Sequence, residues 1–195
     1  MPCVVRGFGA RNEEEMKKWG SVMGNKTVDL QKASEAYGEF LTALGVDRYA
    51  EIDILESSKM ASSLMQHWTA SVDLPKPVLS LMPAPDGGDR VVLSQLPFWS
   101  FCGHHFVPFF GFVTIDYLPS RFIAGLGGFL RIIDYYSRRP QFQENLTHEI
   151  ANEIFQQLQP QHLVVELNAH QMCLELNGHG AGISIQTHAE RHNES

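Results

Sequence analysis

Residues 91–118 read VVLSQLPFWSFC, then GHHFVP, then FFGFVTIDYL, and this stretch decides the fold. In the outer two blocks apolar side chains recur with a period of two, the pattern of half-buried strands. Gly103-His104-His105 between them marks a turn. Residues 91–102 and 109–118 are therefore expected to be neighbouring antiparallel strands. Working outward, 162–178 (HLVVELNAHQMCLELNG) and 182–191 (GISIQTHAER) carry the same period. They read as the last two strands, a hairpin through Gly178-His179-Gly180. On this reading Cys173 lies on a strand.

Helical periods fill the intervals. In 141–158, Leu146, Ile150, Ile154, Phe155 and Leu158 share one face, and Gln159-Pro160 ends the helix. Residues 123–136 open on a glycine elbow (Gly125, Gly127, Gly128) and continue as a helix. Upstream, Leu30, Ala33, Tyr37, Phe40, Leu41 and Leu44 predict a helix over 28–44, capped by Asp29 and stopped by Gly45. A second is expected over 58–71, with Met60, Ala61, Leu64, Met65 and Trp68 on its apolar face. Pro75, Pro77, Pro83 and Pro85 and the DGGD run at 86–89 mark loops. Residues 1–25 read as a flexible arm with a short helix near 13–19. The class is α+β with an antiparallel sheet. Residues 1–72 form an arm and helices, and 73–195 one catalytic domain.

Bulk composition narrows the function. The chain has 195 residues, 44% hydrophobic and 19% charged, as suits a globular domain with a sizeable core. A formal charge of −7 argues against nucleic acid as the partner. No apolar run approaches the ~20 residues that span a bilayer, so no membrane is expected, and the first residues do not read as a signal peptide. Three cysteines, Cys3, Cys102 and Cys173, are no disulfide framework. A cytoplasmic, reducing compartment leaves them free as thiolates.

Cys102-Gly103-His104-His105 carries the chemistry. A cysteine and a histidine three positions apart across a glycine turn can address one metal ion, and Cys173 can complete a Cys-His-Cys set. Zinc accepts such ligands, and three of them leave a fourth position for water, the catalytic pattern. The competing reading makes Cys102 and Cys173 small buried core residues. Cys3 reads as incidental, and His148, His162, His179, His188 and His192 as surface residues.

The context resolves this choice. SFCGHHFVPFFGFVTIDYLP resembles the signature of the GTP cyclohydrolase I family, in which Cys-Glu-His-His precedes a Val-Pro-Phe-like stretch and a strand ending Tyr-Leu-Pro. IAGLGGFLRIIDYYSRRPQFQENLT resembles the family's Gly-Leu-Ser-Lys block, its Arg-Ile helix and its Gln-x-Gln-Glu-Arg-Leu-Thr helix. VVELNAHQMCLELNG is similar to its His-x-Cys strand. The resemblance implies the tunnelling fold, an antiparallel sheet backed by two helices with an N-terminal helical extension. It implies a homo-oligomeric ring, a decamer in most members, with active sites between subunits. It also implies zinc (Zn2+) on Cys102, His105 and Cys173, His104 managing a proton beside it, and Gln143 and Glu144 reading a guanine-like ring.

Departures from the family pattern bear on the substrate. Gly103 replaces the glutamate between Cys and His. Gly128 replaces the lysine of Leu-Ser-Lys, Asn177 an arginine after the second cysteine, and Met60 the arginine of Thr-Pro-x-Arg. Arg131, Arg138 and Arg139 remain, with Arg131 able to hold one anionic group. A triphosphate needs several cationic partners. Gln171 replaces the histidine that protonates the ring, and a carboxamide exchanges no proton near neutral pH. Strand alternation turns His170 away from the metal side. The expected function is a zinc-dependent cyclohydrolase or amidohydrolase in a specialised biosynthetic pathway, acting on cyclic amidine C–N bonds of a small purine-like heterocycle without a triphosphate. The alternatives are a true GTP cyclohydrolase I making dihydroneopterin triphosphate from GTP, and a non-catalytic pterin- or purine-binding relative.

Overall fold

The computed structural model describes residues 28–69, 74–85, 88–178 and 182–193. The expected arm with its helix, Cys3 and His179 lie outside the described residues. The chain divides into two compact units, one ending at Ser62 and one beginning at Ser63.

In the first unit, helix α1 spans Leu30–Ala43. The Asp29 carboxylate accepts the Lys32 N–H at 3.0 Å, as a cap should. At the other end the Leu44 N–H donates to the Phe40 carbonyl, and Gly45 takes the left-handed φ of 75° that stops helices. Helix α2 spans Ile54–Thr69, starting four residues before the sequence-based expectation. Asp53 explains the difference, because its Oδ1 accepts the Glu56 N–H at 3.0 Å. Helical periodicity is right here, but much of the apolar surface stays open: Phe40 is 55% and Met60 66% exposed.

The second unit is built on a five-stranded sheet of order β5-β2-β3-β6-β7. Its strands are β2 (Val91–Cys102), β3 (Pro108–Leu118), β5 (Pro140–Gln141), β6 (His162–Gln171) and β7 (Ser184–His192). The pairs β2–β3, β3–β6 and β6–β7 are antiparallel, while short β5 runs parallel to β2. A separate ribbon pairs β1 (Leu81–Pro83) with β4 (Phe122–Ala124). The β2–β3 register shifts between Leu93 and Leu96, where Gln95 has φ 59°, the mark of a bulge. Gly111 in β3 is a close approach, since a Cβ there would lie 2.0 Å from the Asn168 carbonyl oxygen of β6.

Helices α3 (Leu126–Ser137) and α4 (Gln143–Leu158) cover one face, α4 over β6 and β7 and α3 over β2. Phe129, Ile132, Ile150, Ile154, Val113 and Leu167 are all fully buried between helices and sheet. Each such side chain contributes about 1.5–3 kcal/mol of burial. The helix predicted from 141 begins at Gln143 instead, because Pro140–Gln141 is drawn into the sheet beside Phe101 and Cys102. Glu153 is the one acid buried among these helices: Tyr136 OH donates to it at 2.5 Å and Lys76 pairs with it at 2.7 Å. The opposite face of the sheet is open, with Trp99 and Phe112 each 47% exposed.

Candidate metal centre

Cys102 is the last residue of β2 and is buried. The chain reverses over 103–107, held by Cys102 N–H to Val107 O (2.9 Å) and Phe106 N–H to Cys102 O (2.8 Å). Phe106 takes φ 54°, a conformation uncommon for a bulky side chain. The reversal brings His105 Nδ1 to 3.7 Å from Cys102 Sγ. His104 is exposed, and its ring lies 4.2 Å from that of His105, centroid to centroid. A Cβ on Gly103 would meet the Gln141 backbone at an ordinary 3.4–3.5 Å, so the turn does not sterically require glycine.

Cys173 is where the sequence reading needs correction. β6 ends at Gln171, and helix α5 spans Met172–Leu176. The reason is the ladder: Gln171 pairs with Phe109, one residue from the start of β3, and β7 begins opposite His170. Beyond Gln171 there is no strand to pair with, so the backbone satisfies itself in a helical turn. Asn177 closes that turn by donating its side-chain amide to the Cys173 carbonyl at 2.7 Å, and Gly178 follows at φ 72°. The turn presents Cys173 to Cys102. His170 faces the other side of the sheet, its ring beside Phe110 and its Nδ1 3.7 Å from Glu175.

Ligand atoms of Cys102, His105 and Cys173 all lie within 4.8 Å of one another. Two thiols and an imidazole are a donor set that suits zinc. Burial, and then the neighbouring Cys102 sulfur, push the Cys173 thiol above its ordinary pKa. A cation among the donors would reverse that balance, because it stabilises both thiolates. The residues present therefore fit the ion.

The pair of cysteines opens on a cleft of about 180 Å³ lined also by Gln141, Phe142, Gln143, Glu144, Gln171, Leu174 and Ile185. Glu144 is exposed in the first turn of α4. Gln143 is 3% exposed and its amide is engaged within the chain. Its Nε2 donates to Leu167 O, Ile185 O and Thr187 Oγ1, and its Oε1 accepts from Gln171 Nε2 at 2.8 Å. Arg131 is not in this cleft; it lines another with Pro75, Lys76, Pro77 and Asp134. Gly128 is packed so closely that a Cβ would come 2.7 Å from Leu79 Cδ2. Phe142, Leu174 and Ile185 of the cleft wall escaped the sequence reading, as did Thr187, which bonds Gln143. They have no motif: Phe142 is placed by the step from β5 into α4, Leu174 by the turn of α5, and Ile185 and Thr187 by the register of β7.

Comparison with known proteins follows the same lines. A family model described as GTP cyclohydrolase I matches residues 33–193. The chain is 34% identical to GTP cyclohydrolase 1 of Fusobacterium nucleatum subsp. nucleatum, over 77% of this chain and 81% of that one. It is 34% identical to GTP cyclohydrolase 1 of Streptococcus mutans, over 77% and 79%. With GTP cyclohydrolase 1 of Clostridioides difficile it shares 35% over 77% and 80%. The match extends beyond the cysteine-histidine blocks to most of the chain, and the sheet backed by α3 and α4 is the tunnelling fold: the chain belongs to the GTP cyclohydrolase I family.

Proposed function

We propose that this chain is a zinc-dependent cyclohydrolase that opens the purine ring of GTP. The observation that carries the reading is the convergence of Cys102, His105 and Cys173 beside a cleft that also holds Glu144. The name shared by the relatives supplies the substrate. Cys102, His105 and Cys173 would hold the ion. Zinc in such a set supplies Lewis acidity that activates water near neutral pH.

The chain's own groups do the rest. The Glu144 carboxylate accepts N–H bonds from the guanine edge, and leaving those donors unpaired in a cleft would be costly. His104, beside His105 on the turn, takes and returns a proton, as an imidazole can at neutral pH. Gln143 acts indirectly: with its amide bound by Gln171 and β7, it fixes the start of α4 and so the position of Glu144. Gln171 is thus a positioning residue as well as a hydrogen-bond donor at the cleft wall. Leu174, Ile185 and Phe142 make that wall apolar. Arg131 would serve as an anion contact in a site completed by a neighbouring subunit.

A homo-oligomer is part of this proposal. β7 is an outer strand, and Trp99 and Phe112 lie on an open face; such surfaces are normally covered. Among the described residues no helix is long and apolar enough to cross a membrane, and we assign the chain to the cytoplasm, where its thiols stay reduced.

A second reading, a purine-like substrate without the triphosphate, is favoured by one observation: among the described residues no Lys or Arg lines the cleft. The zinc-loaded protein, assayed with GTP and with unphosphorylated purines, decides. Fluorescent pterin from GTP supports the first reading, turnover of the unphosphorylated set alone the second, and metal binding without any turnover the non-catalytic relative.

A further inference from the structure

A second group of metal-type donors lies at the end of the β6–β7 ladder away from Gln171. His162 opens β6 and His192 closes β7, and the two are register partners. Glu190, two residues back along β7, shares their face. The imidazole rings stack with centroids 4.6 Å apart and planes 18° apart. Both Nε2 atoms address one carboxylate oxygen, Glu190 Oε1, at 2.8 Å from His162 and 3.1 Å from His192. All three donor atoms lie within 4.8 Å of one another.

We propose that His162, Glu190 and His192 form a second metal site, taking a first-row divalent cation of the imidazole-preferring class (Zn2+, Ni2+ or Cu2+). Tetrahedral donors each ~2.1 Å from a common ion stand ~3.4 Å apart, a few tenths of an ångström more than both histidines keep from Glu190. The side chains are 32%, 50% and 63% exposed for His162, Glu190 and His192, which leaves room for water to complete the coordination. The frame is preorganised: the Asn193 N–H donates to Gln161 O at 3.1 Å, and its side chain to Pro160 O at 3.2 Å, so the two strand ends are already tied. As a simple exposed ion pair the cluster would contribute little. As a metal clip it fastens to β6 a strand that, among the described residues of one chain, has no other strand partner. That strand carries Ile185 and Thr187, which hold Gln143. The site shares no residue with the cysteine cluster and stands independently of the proposed function.

The test uses the full chain, stripped with a chelator and reloaded with Zn2+ or Co2+. Metal retained after gel filtration is counted, and thiolate-to-cobalt absorption marks ions on the cysteines. The wild-type chain should hold about two equivalents, only one of them accompanied by the thiolate band. His192→Gln should drop the count by one while keeping the band. It should also lose the rise in melting temperature that the second equivalent confers. Glu190→Gln, a near-isosteric change at an exposed position, reads the same way should His192→Gln fail to fold. A wild-type chain that saturates at one equivalent carrying the thiolate band, or either variant still holding two, overturns the proposal. One equivalent without the band supports this site and overturns the cysteine site instead.

Discussion

At the scale of single residues, Cys173 and Gly111 carry the most. Cys173 reaches Cys102 through a helical turn that Asn177 closes. A serine hydroxyl does not ionise to match a thiolate ligand. Cys173→Ser should therefore abolish the thiolate-to-cobalt band of the reloaded protein, while the band in the parent persists. Gly111 has a different role, since any Cβ there meets the Asn168 carbonyl of the neighbouring strand. Gly111→Ala must push β3 from β6 and should cost about 1–3 kcal/mol or more, read as a lower urea midpoint. Residue identity was the most legible level of the site: Cys102, His105 and Cys173 stand out by type and by family pattern. The state of Gln143 was not. Its sequence says polar residue at a helix start; only the register of β7 shows that its amide is bound within the chain.

At the scale of elements, period two and period 3.6 gave the strands and helices, and capping chemistry set their ends wherever the cap was recognised. Asp29 and Gly45 bound α1 as expected, whereas unrecognised Asp53 started α2 early. The strand drawn through Cys173 failed because alternation continued in the sequence after its ladder partners had run out. One element junction is also pH-sensitive. Burial alone would raise the Glu153 carboxyl, but hydrogen bonds from Lys76, Tyr136 and Gln157 outweigh it and hold its pKa below the ordinary value. A depressed folded pKa means stability that is present above the unfolded value of ~4.3 and lost as pH falls through the folded value. Resistance to urea should thus weaken below about pH 4. Glu153→Gln should cost about 1–3 kcal/mol at pH 7 and flatten that acid limb. A variant with the parent's acid dependence would contradict the assignment.

At the scale of the whole molecule, the proposal needs neighbours. Among the described residues Arg131 lies outside the cleft, Met60 and Phe112 are exposed, and β7 pairs with no strand beyond β6. Light scattering should therefore report a large homo-oligomer, and a stable monomer would leave those surfaces and the anion contact unexplained. The proposed substrate also bears on this scale, since cations not present in one chain's cleft would have to come from the next. A side chain at Gly128 requires the tip of Leu79 to shift, since a Cβ there would come 2.7 Å from Leu79 Cδ2. The direct measurement is turnover of GTP by the zinc-loaded, assembled protein, followed as pterin fluorescence. The account predicts product from GTP and its loss in Cys173→Ser. A fully metallated, assembled protein that leaves GTP intact would contradict it.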